Sequence, residues 1–486
     1  MTRNVLLTLL LITTLTGAIA ADAFGEERRQ NFDADPQWDA VNHRAATPQP
    51  QTVEQDFGYS ATQHAGGATP GEIGGMLTPT AEACYYAKAI ELVTLDDRLT
   101  ASGTFASTGR QFHVLVGFFN ADTLNEWRTP NSLVLRLYGR GDVFYAYVEY
   151  CTSRWRAGGD NPGGFATITD PDTGRAELRG FATGVPHRWA LEYDPGGAGG
   201  DGAITVTIDG ETAVCVLDPG HKADGAVFNR CGLLNIPKHY DQGGEVWLDD
   251  VTINGQTEDF DRDPGWDAHR NRATFTTHNV RPRFDFGFSP TQFAGGKSRG
   301  ELGGVVFRGD CRRADRLAYY GDRLDTLTLD KPLRAEGRVA LVRGVSDSTV
   351  LIGFFHAQDS MVVSDDQSSG WPVNFIGAAV EGPSSEGFLI YPAYRVPGGS
   401  GALARAENPP HILPDGSAAR WEFDYSPEGS GRIELSFGDQ AVRLDLGSGH
   451  RDKPARFNRF GIVTTWIDGN AQHIYFDDLV YTCAQE

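Results

Sequence analysis

Methionine is nearly missing from this chain: three in 486 residues, beside 59 glycines and 25 prolines. Long runs of Ala, Leu, Glu and Lys are scarce as well. These shortages exclude a helical bundle or coiled coil, which needs uninterrupted helix formers, and they scatter turns along the chain. No Cys-x-x-Cys occurs among the six cysteines, which removes zinc-ribbon and dithiol redox motifs. No internal stretch reaches the ~20 apolar residues of a membrane span. Positive charge is in deficit, with 43 Lys plus Arg against 64 Asp plus Glu, net −21. A surface of that sign repels nucleic acid and anionic membrane, so neither is expected as a partner.

The single apolar run stands at the N-terminus. Arg3 supplies a positive start, Val5 to Ile19 is apolar apart from Thr and Gly, and Ala18-Ile19-Ala20 is a small-x-small cleavage site. This reads as a signal peptide over residues 1–20, and the expected location is secreted, periplasmic or extracellular. Residues 21–30 read as a linker. The cysteines fit export: Cys84, Cys151, Cys215 and Cys231 lie in the first half, Cys311 and Cys483 in the second. Even counts allow disulfides within each half. Cys311–Cys483 is the one pair the second half allows, and the first half has three possible connectivities.

What the sequence has in plenty is itself, twice, at a spacing of about 230 residues. Asn31-Phe-Asp-Ala-Asp-Pro-Gln-Trp-Asp39 returns as Asp259-Phe-Asp-Arg-Asp-Pro-Gly-Trp-Asp267. Ala65-Gly-Gly-x-x-x-Gly-Glu-Ile-Gly-Gly75 returns as Ala294-Gly-Gly-x-x-x-Gly-Glu-Leu-Gly-Gly304. Tyr85-Tyr86 matches Tyr319-Tyr320, and Val114 to Phe119 matches Val350 to Phe355. His221-Lys222 with Phe228-Asn-Arg230 matches His450-Arg451 with Phe457-Asn-Arg459. Val246-Trp-Leu-Asp-Asp-Val251 matches Ile474-Tyr-Phe-Asp-Asp-Leu479. Conserved order and spacing mark a duplicated domain, with expected bounds 31–256 and 257–486.

Between turn signals the segments are short and alternate with period two, as in Ser132 to Tyr138, Val143 to Tyr150 and Arg432 to Phe437. One face of such a strand packs and the other meets solvent. Asp209-Gly210 and Asp468-Gly469 are hairpin signals. Many such strands at short spacing predict an all-β chain of antiparallel sandwiches. The run Gly184-x-x-His-Arg-Trp-Ala-Leu-Glu-Tyr193, then Asp209-Gly, then the closing Trp-Leu-Asp-Asp-Val, resembles the laminin-G-like and concanavalin A-like domains. The resemblance implies two tandem concanavalin A-like jelly-roll sandwiches in which first and last strands lie side by side. It also implies carbohydrate as a partner, since that superfamily is similar to lectins, glycoside hydrolases and some polysaccharide lyases.

In such sandwiches glycans sit on the concave sheet face. Alternation puts Arg136 and Tyr138 on one face of their strand, and Tyr145, Tyr147 and Glu149 on one face of the next. Rings suit the C–H faces of sugars, while Arg and Glu hydrogen-bond hydroxyls or uronates. Trp127 and Arg128 are expected at the rim, and Arg154, Trp155 and Arg156 as an extension. Tyr391, Tyr394 and Arg395 occupy the corresponding region of the second copy, without a counterpart to Glu149. Glu149 is the candidate catalytic carboxylate, although the Glu-x-Asp-x-x-Glu strand of hydrolases with this fold is missing and a hydrolase needs two carboxyls. His221, with Lys222, is the candidate base for lyase chemistry. Gln63-His64 is a bare dipeptide match to lyases of this fold. Glu72 and Glu301 recur in both copies, which favours a structural duty, as does the position of His187.

A structural calcium is the one cofactor to weigh, and no organic cofactor is indicated. Its oxygen ligands are expected from Asp33 and Asp35 beside Asp249 and Asp250, and from Asp261 and Asp263 beside Asp477 and Asp478. The functional expectation is therefore a secreted protein that binds or processes extracellular polysaccharide. A glycoside hydrolase, or after it a lyase, acting in the first domain is the alternative, and a non-catalytic protein-adhesion module is the second.

Overall fold

The computed structural model describes residues 25–44, 49–108, 112–159, 165, 167–169, 176–238, 242–366, 370–399, 401–403 and 409–485. The proposed signal peptide lies outside them. Strands of alternating pattern pair antiparallel into four large sheets, which stack two by two as jelly-roll sandwiches. In the first sandwich one sheet runs Ala157–Gly158, Val143–Cys151, Ser132–Arg140, His113–Phe119, Val227–Asn235, Tyr85–Thr94, Asp267–His269. Facing it, the other runs Glu211–Val216, Ala203–Ile208, His187–Asp194, Leu99–Ser107, Gly244–Ile253, Glu72–Leu77, Gln51–Ser60, Arg272–Thr277. The second sandwich repeats this order: its first sheet has Ser348–Phe355 at the centre, and its second has Leu333–Gly344 and Ala471–Ala484 there.

Period two builds the cores. Leu133, Leu135 and Leu137 point inward with Phe144, Ala146, Val148 and Tyr150, against Phe105, Trp189, Leu191 and Ile204 of the facing sheet. The second core repeats this with Val350, Ile352, Phe354, Trp421, Phe423 and Ile433.

The sheets do not divide at 256/257. Glu26–Gln30, expected as linker, pairs with Ala471–Ala484, the last strand of the chain, and Asp39–Val41 pairs with Tyr319–Thr328. Phe32 and Trp38 are buried in the second core. Conversely Gln256–Glu258, Asp267–His269 and Arg272–Thr277 pair with strands of the first sandwich, whose core takes Phe260 and Trp266. The opening segment of each repeat thus completes the sandwich of the other. The reason is local: after Gly244–Ile253 a tight Asn254-Gly255 turn, Asn254 at φ 46 and Gly255 at φ 81, sends the chain back along the same strand. The segment that follows is then beside the first sandwich, not the second.

Three repeated motifs meet at this closure. Tyr85 donates to Asp267 at 3.1 Å and Tyr86 to Asp263 at 3.1 Å, while Arg230 of Phe-Asn-Arg pairs with Asp267 at 2.7 Å. In the second sandwich Tyr319 donates to Asp39 at 2.9 Å, Tyr320 to Asp35 at 3.0 Å, and Arg459 pairs with Asp39 at 2.6 Å. Charge-assisted hydrogen bonds of this kind fix the register of the closing segment.

The expected Cys311–Cys483 bridge is absent, and no disulfide is present among the described residues. Phe307, four residues before Cys311, pairs with Ala471, whereas Cys483 lies at the far end of that strand. At ~3.3 Å per residue the stretch from Ala471 to Cys483 spans roughly 40 Å, which keeps the two cysteines far beyond bridging distance. Burial raises the thiol pKa of Cys84 to about 12 and of Cys215 to about 11, which leaves both protonated and unreactive.

Candidate functional site

On the outer face of the first sheet, away from the core, register aligns three short rows. His113, Tyr138 and Tyr145 form one, Leu115, Arg136 and Tyr147 the next, and Gly117, Val134 and Glu149 the third. The predicted aromatic and charged strip is therefore real, and it includes His113, which alternation alone did not single out. Arg136 and Glu149 form an ion pair at 2.9 Å with side chains 9% and 8% exposed. The guanidinium of Arg136 also stands 4.5 Å from the Tyr147 ring centroid and 5.5 Å from that of Trp127. Arg128 and Lys238 approach the same indole, at 5.7 and 5.4 Å. Lys238 follows the strand Val227–Asn235, and nothing in its sequence setting marks it.

Trp127 and Arg128 ride on a loop held in an unfavourable backbone shape. Trp127, Arg128 and Asn131 have φ of 32, 57 and 57°, which costs non-glycine residues about 1 kcal/mol each. Side chains hold the loop there: Thr129 donates to the Asn125 carbonyl at 2.7 Å and Ser132 to the Thr129 carbonyl at 2.6 Å. The second sandwich holds it too. Asn125 donates to the Gly344 carbonyl at 2.7 Å, and Arg343 pairs with Glu126 at 3.2 Å. Beside Trp127 opens a cleft of about 360 Å³ between the sandwiches, lined by Lys238, Arg281, Arg308, Asp347 and Asp468. Burial lowers the pKa of Arg281.

His113 is 6% exposed, and neither ring nitrogen has a hydrogen-bond partner. Its ring lies 5.0 Å from that of Tyr138. Burial first, then the charges of Lys238 and Arg136, hold its pKa well below the usual histidine range, so the imidazole is neutral. An unsatisfied buried polar group costs roughly 1–3 kcal/mol, so something must repay it. Tyr138 is 38% exposed, and Tyr145 and Tyr147 are half-buried. The head of the strip is therefore open to solvent.

Other predicted residues lie elsewhere. Glu149 and Tyr150 point to opposite faces of their strand, and His221 bonds to Tyr150 on the core side, Nδ1 to hydroxyl at 3.0 Å. Nε2 of His221 reaches the Ser385 carbonyl at 3.0 Å, so both nitrogens are engaged. Glu149 and His221 therefore do not form one catalytic centre. Lys222 donates to the carbonyls of Pro195, at 2.6 Å, and Gly200. In the second sandwich His450 holds Tyr394 at 2.9 Å and Arg451 donates to the Gly429 carbonyl, so the repeated basic pair clamps loops in both.

Arg154, Trp155 and Arg156 do not extend the strip; they form the joint between the sandwiches. Trp155 packs against the second core, Arg156 pairs with Asp224 at 2.5 Å, and Arg154 is exposed. Tyr391 and Arg395 share the outer face of the second sheet but are closed over, at 3% and 6% exposed. Tyr391 bonds to Glu381, and Arg395 donates to Asp366 at 2.9 Å and to the Trp371 carbonyl at 3.0 Å against the Trp466 ring. The register that sets Phe119 opposite Ser132 and Phe355 opposite Phe375 makes Ala379 and Ala393 the counterparts of Arg136 and Glu149.

A two-carboxylate hydrolase site needs partners roughly 5–10 Å apart. On the row of Glu149 the next carboxylate is Asp267, five strands away. That is roughly 24 Å at ~4.8 Å per strand.

Glu72 and Glu301 accept backbone N–H bonds from His64 and Ala65, and from Phe293 and Ala294, at 2.8–2.9 Å. They pin the Ala-Gly-Gly loops, consistent with a structural duty. His64 stacks on Trp247, and His187 bridges Asp209 and the Ala182 carbonyl.

The aspartates pair the other way round from the expectation, because the opening segments are exchanged. Asp261 and Asp263 lie on the sandwich of Asp249 and Asp250; Asp33 and Asp35 lie on that of Asp477 and Asp478. Among the described residues no group of three or more His, Cys, Asp or Glu is arranged to hold a metal. Asp249 and Asp477 are buried beneath Gly67 and Gly296, where any Cβ would collide with the carboxylate. Burial, followed by the charges of Asp250 and Glu72, raises Asp249 to about 6, and the same causes raise Asp477 to about 7.

No family model matches the chain, and no curated protein matches it. Among solved structures it is similar to domains LG4-5 of mouse laminin α1, 13% identical, covering 90% of this chain and 91% of that one, TM-score 0.23. It is also similar to endo-β-1,4-glucuronan lyase from the fungus Trichoderma reesei, 12% identical, covering 48% and 97%, TM-score 0.26. Peanut lectin is 11% identical over 47% of this chain and 99% of the lectin, TM-score 0.22. At these identities and scores the likenesses carry no argument about function. No helix is long and apolar enough to cross a membrane among the described residues.

Proposed function

We propose that the chain is an exported, duplicated jelly-roll protein that binds an acidic polysaccharide along the outer face of its first sandwich. The observation that carries this reading is His113: a buried imidazole without a partner, at the head of a solvent-open row of tyrosines. A sugar hydroxyl reaches a ring nitrogen once the Tyr138 ring beside it swings aside, since both nitrogens are covered, and Tyr138, Tyr145 and Tyr147 offer ring faces to the pyranose C–H groups. Arg128, Arg136 and Lys238 around Trp127 supply the positive field for a uronate or sulfate within an otherwise acidic molecule. A catalytic reading requires more: Tyr138 must uncover the ring nitrogens of neutral His113 before that imidazole can take a proton from a bound uronate.

The test is a panel of acidic and neutral polysaccharides presented to the mature chain, scored for retention and for reducing ends or unsaturated product. Retention of acidic members, weakened at least tenfold by His113→Ala or Tyr138→Ala, supports binding. Product lost in the same variants supports the catalytic reading. No response to any sugar overturns both and leaves protein adhesion.

A further inference from the structure

The second sandwich has a cavity of its own, on the sheet that carries the N-terminal arm. It measures about 430 Å³ and is lined by Arg29 and Asn31 of the N-terminal arm, Lys297 of the Ala-Gly-Gly loop, Arg338 and Arg420 of the sheet, and Asp478 with Glu336. Its floor is a β-bulge: the pairing shifts between Glu336 and Arg338, and Asp478 sits at φ 49. The arm forms one wall, with Arg29 opposite Val480 and Gln30 opposite Leu479. Arg338 is fixed at the wall by donating to the Ala294 carbonyl at 2.7 Å.

Four cations thus gather at one concavity of a chain carrying net −21. Most arginines here are ion-paired within 4 Å, but among the described residues no ion pair joins Arg29, Lys297, Arg338 or Arg420 to a carboxylate, not even to Asp478 or Glu336. The first sandwich has the same bulge, with Asp250 at φ 50. Cross-strand register gives its side chains. Arg338 faces Arg420 and Asp477, as Thr104 faces Arg188 and Asp249. Arg29 corresponds to Thr257, and Lys297 to Ala68, since Gly296 and Gly67 lie against matching aspartates. One cation therefore stands where the other sandwich has four. Packing does not demand the excess, because the first sandwich folds around the same bulge without it. Asp478 and Glu336, the latter in the place of Ser102, offset part of this charge without pairing to any of the four, and an anion in the cavity lowers the repulsion that is left.

We infer that this cavity is a second anion-binding site, one that takes a sulfate or carboxylate group of a polyanion and is built only when the arm closes the second sandwich. The inference does not rest on the function proposed for the first sandwich, which lies on a different sheet of a different sandwich. Its experiment is affinity of the intact mature chain for dextran sulfate, which carries only sulfate, and polygalacturonate, which carries only carboxylate, at low salt and in 0.5 M NaCl. The variants are Lys297→Ala/Arg420→Ala, with both side chains exposed, and Arg188→Ala as the first-sandwich control. The double variant is expected to weaken at least one polyanion about tenfold at low salt, with thermal midpoint unchanged. The effect should shrink in 0.5 M NaCl, where screening shortens the reach of the charges. Arg188→Ala should change little. Whichever polymer loses affinity identifies the group. Equal binding of both polymers by wild type and double variant overturns the site, as does an equal loss from Arg188→Ala. His113→Ala separates the two readings, since it leaves this site intact.

Discussion

The two sandwiches share a frame and differ in where they place charge. On the outer face of the first sheet, Arg136 and Glu149 are a buried ion pair, and in the second sandwich both are alanine. At the bulge the pattern inverts: Arg29, Lys297 and Arg338 in the second sandwich stand for Thr257, Ala68 and Thr104 in the first. The closing clasp of two tyrosines, an arginine and aspartates is the same in both. What stays constant is what closes a sheet; what changes sits on faces the core does not need. That is how two sandwiches of one strand order carry different surfaces.

The exchanged opening segments give the largest way to break this comparison. Phe32→Ala or Trp38→Ala is expected to cost ~3–5 kcal/mol. The loss should fall on the second sandwich, although both residues open the first repeat. Phe260→Ala or Trp266→Ala should do the converse. Limited proteolysis followed by mapping of the fragments reads out which sandwich opens, and damage confined to each residue's own repeat contradicts the exchange.

Next in size is the ion pair. Glu149→Ala leaves Arg136 buried beside Tyr147 and is expected to cost ~3–5 kcal/mol. The double change Arg136→Ala/Glu149→Ala copies the second sandwich and should recover much of that loss. Urea denaturation of the three variants measures it; a double variant as unstable as the sum of the singles denies the coupling.

The raised carboxyls give a smaller, pH-dependent effect. A carboxyl whose folded pKa exceeds its unfolded value binds protons more tightly in the folded chain. Its contribution is therefore full below about pH 4 and is lost as pH rises through 6 for Asp249 and 7 for Asp477. The stability of the wild type relative to Asp477→Asn should fall by a few kcal/mol, at most about 4, between pH 4 and 8. Any fixed cost of the asparagine cancels from that slope, and a flat difference returns Asp477 to its ordinary range. The smallest effect belongs to Tyr138→Ala, a change of less than about 0.5 kcal/mol in folding because the ring is largely outside the core. Any larger loss of stability would make Tyr138 a packing residue rather than a binding one.

Strand existence, facing and the repeated motifs were legible because side-chain period and motif spacing are local properties. Alternation put Arg136, Tyr138, Tyr145, Tyr147 and Glu149 on one face correctly. The structure puts Leu133, Leu135 and Leu137, on the other face of the Arg136 strand, in the core. Alternation could not order strands across the sheet, so His113, which meets Tyr138 only through pairing of distant segments, went unseen, as did Lys238. Nor could it show that Trp155 and His221 serve the joint, since Trp155 packs against the second core and His221 reaches Ser385, 164 positions away.

By itself the sequence determined an all-β chain of repeated modules, because alternation and turn chemistry act within a few residues. Tertiary structure alone decided which sandwich each opening segment completes, which cysteines stay apart, and which cations gather at one cavity. Those outcomes depend on where a tight turn after the last strand of the first sandwich sends the chain, and on contacts that exist only once both sheets have closed.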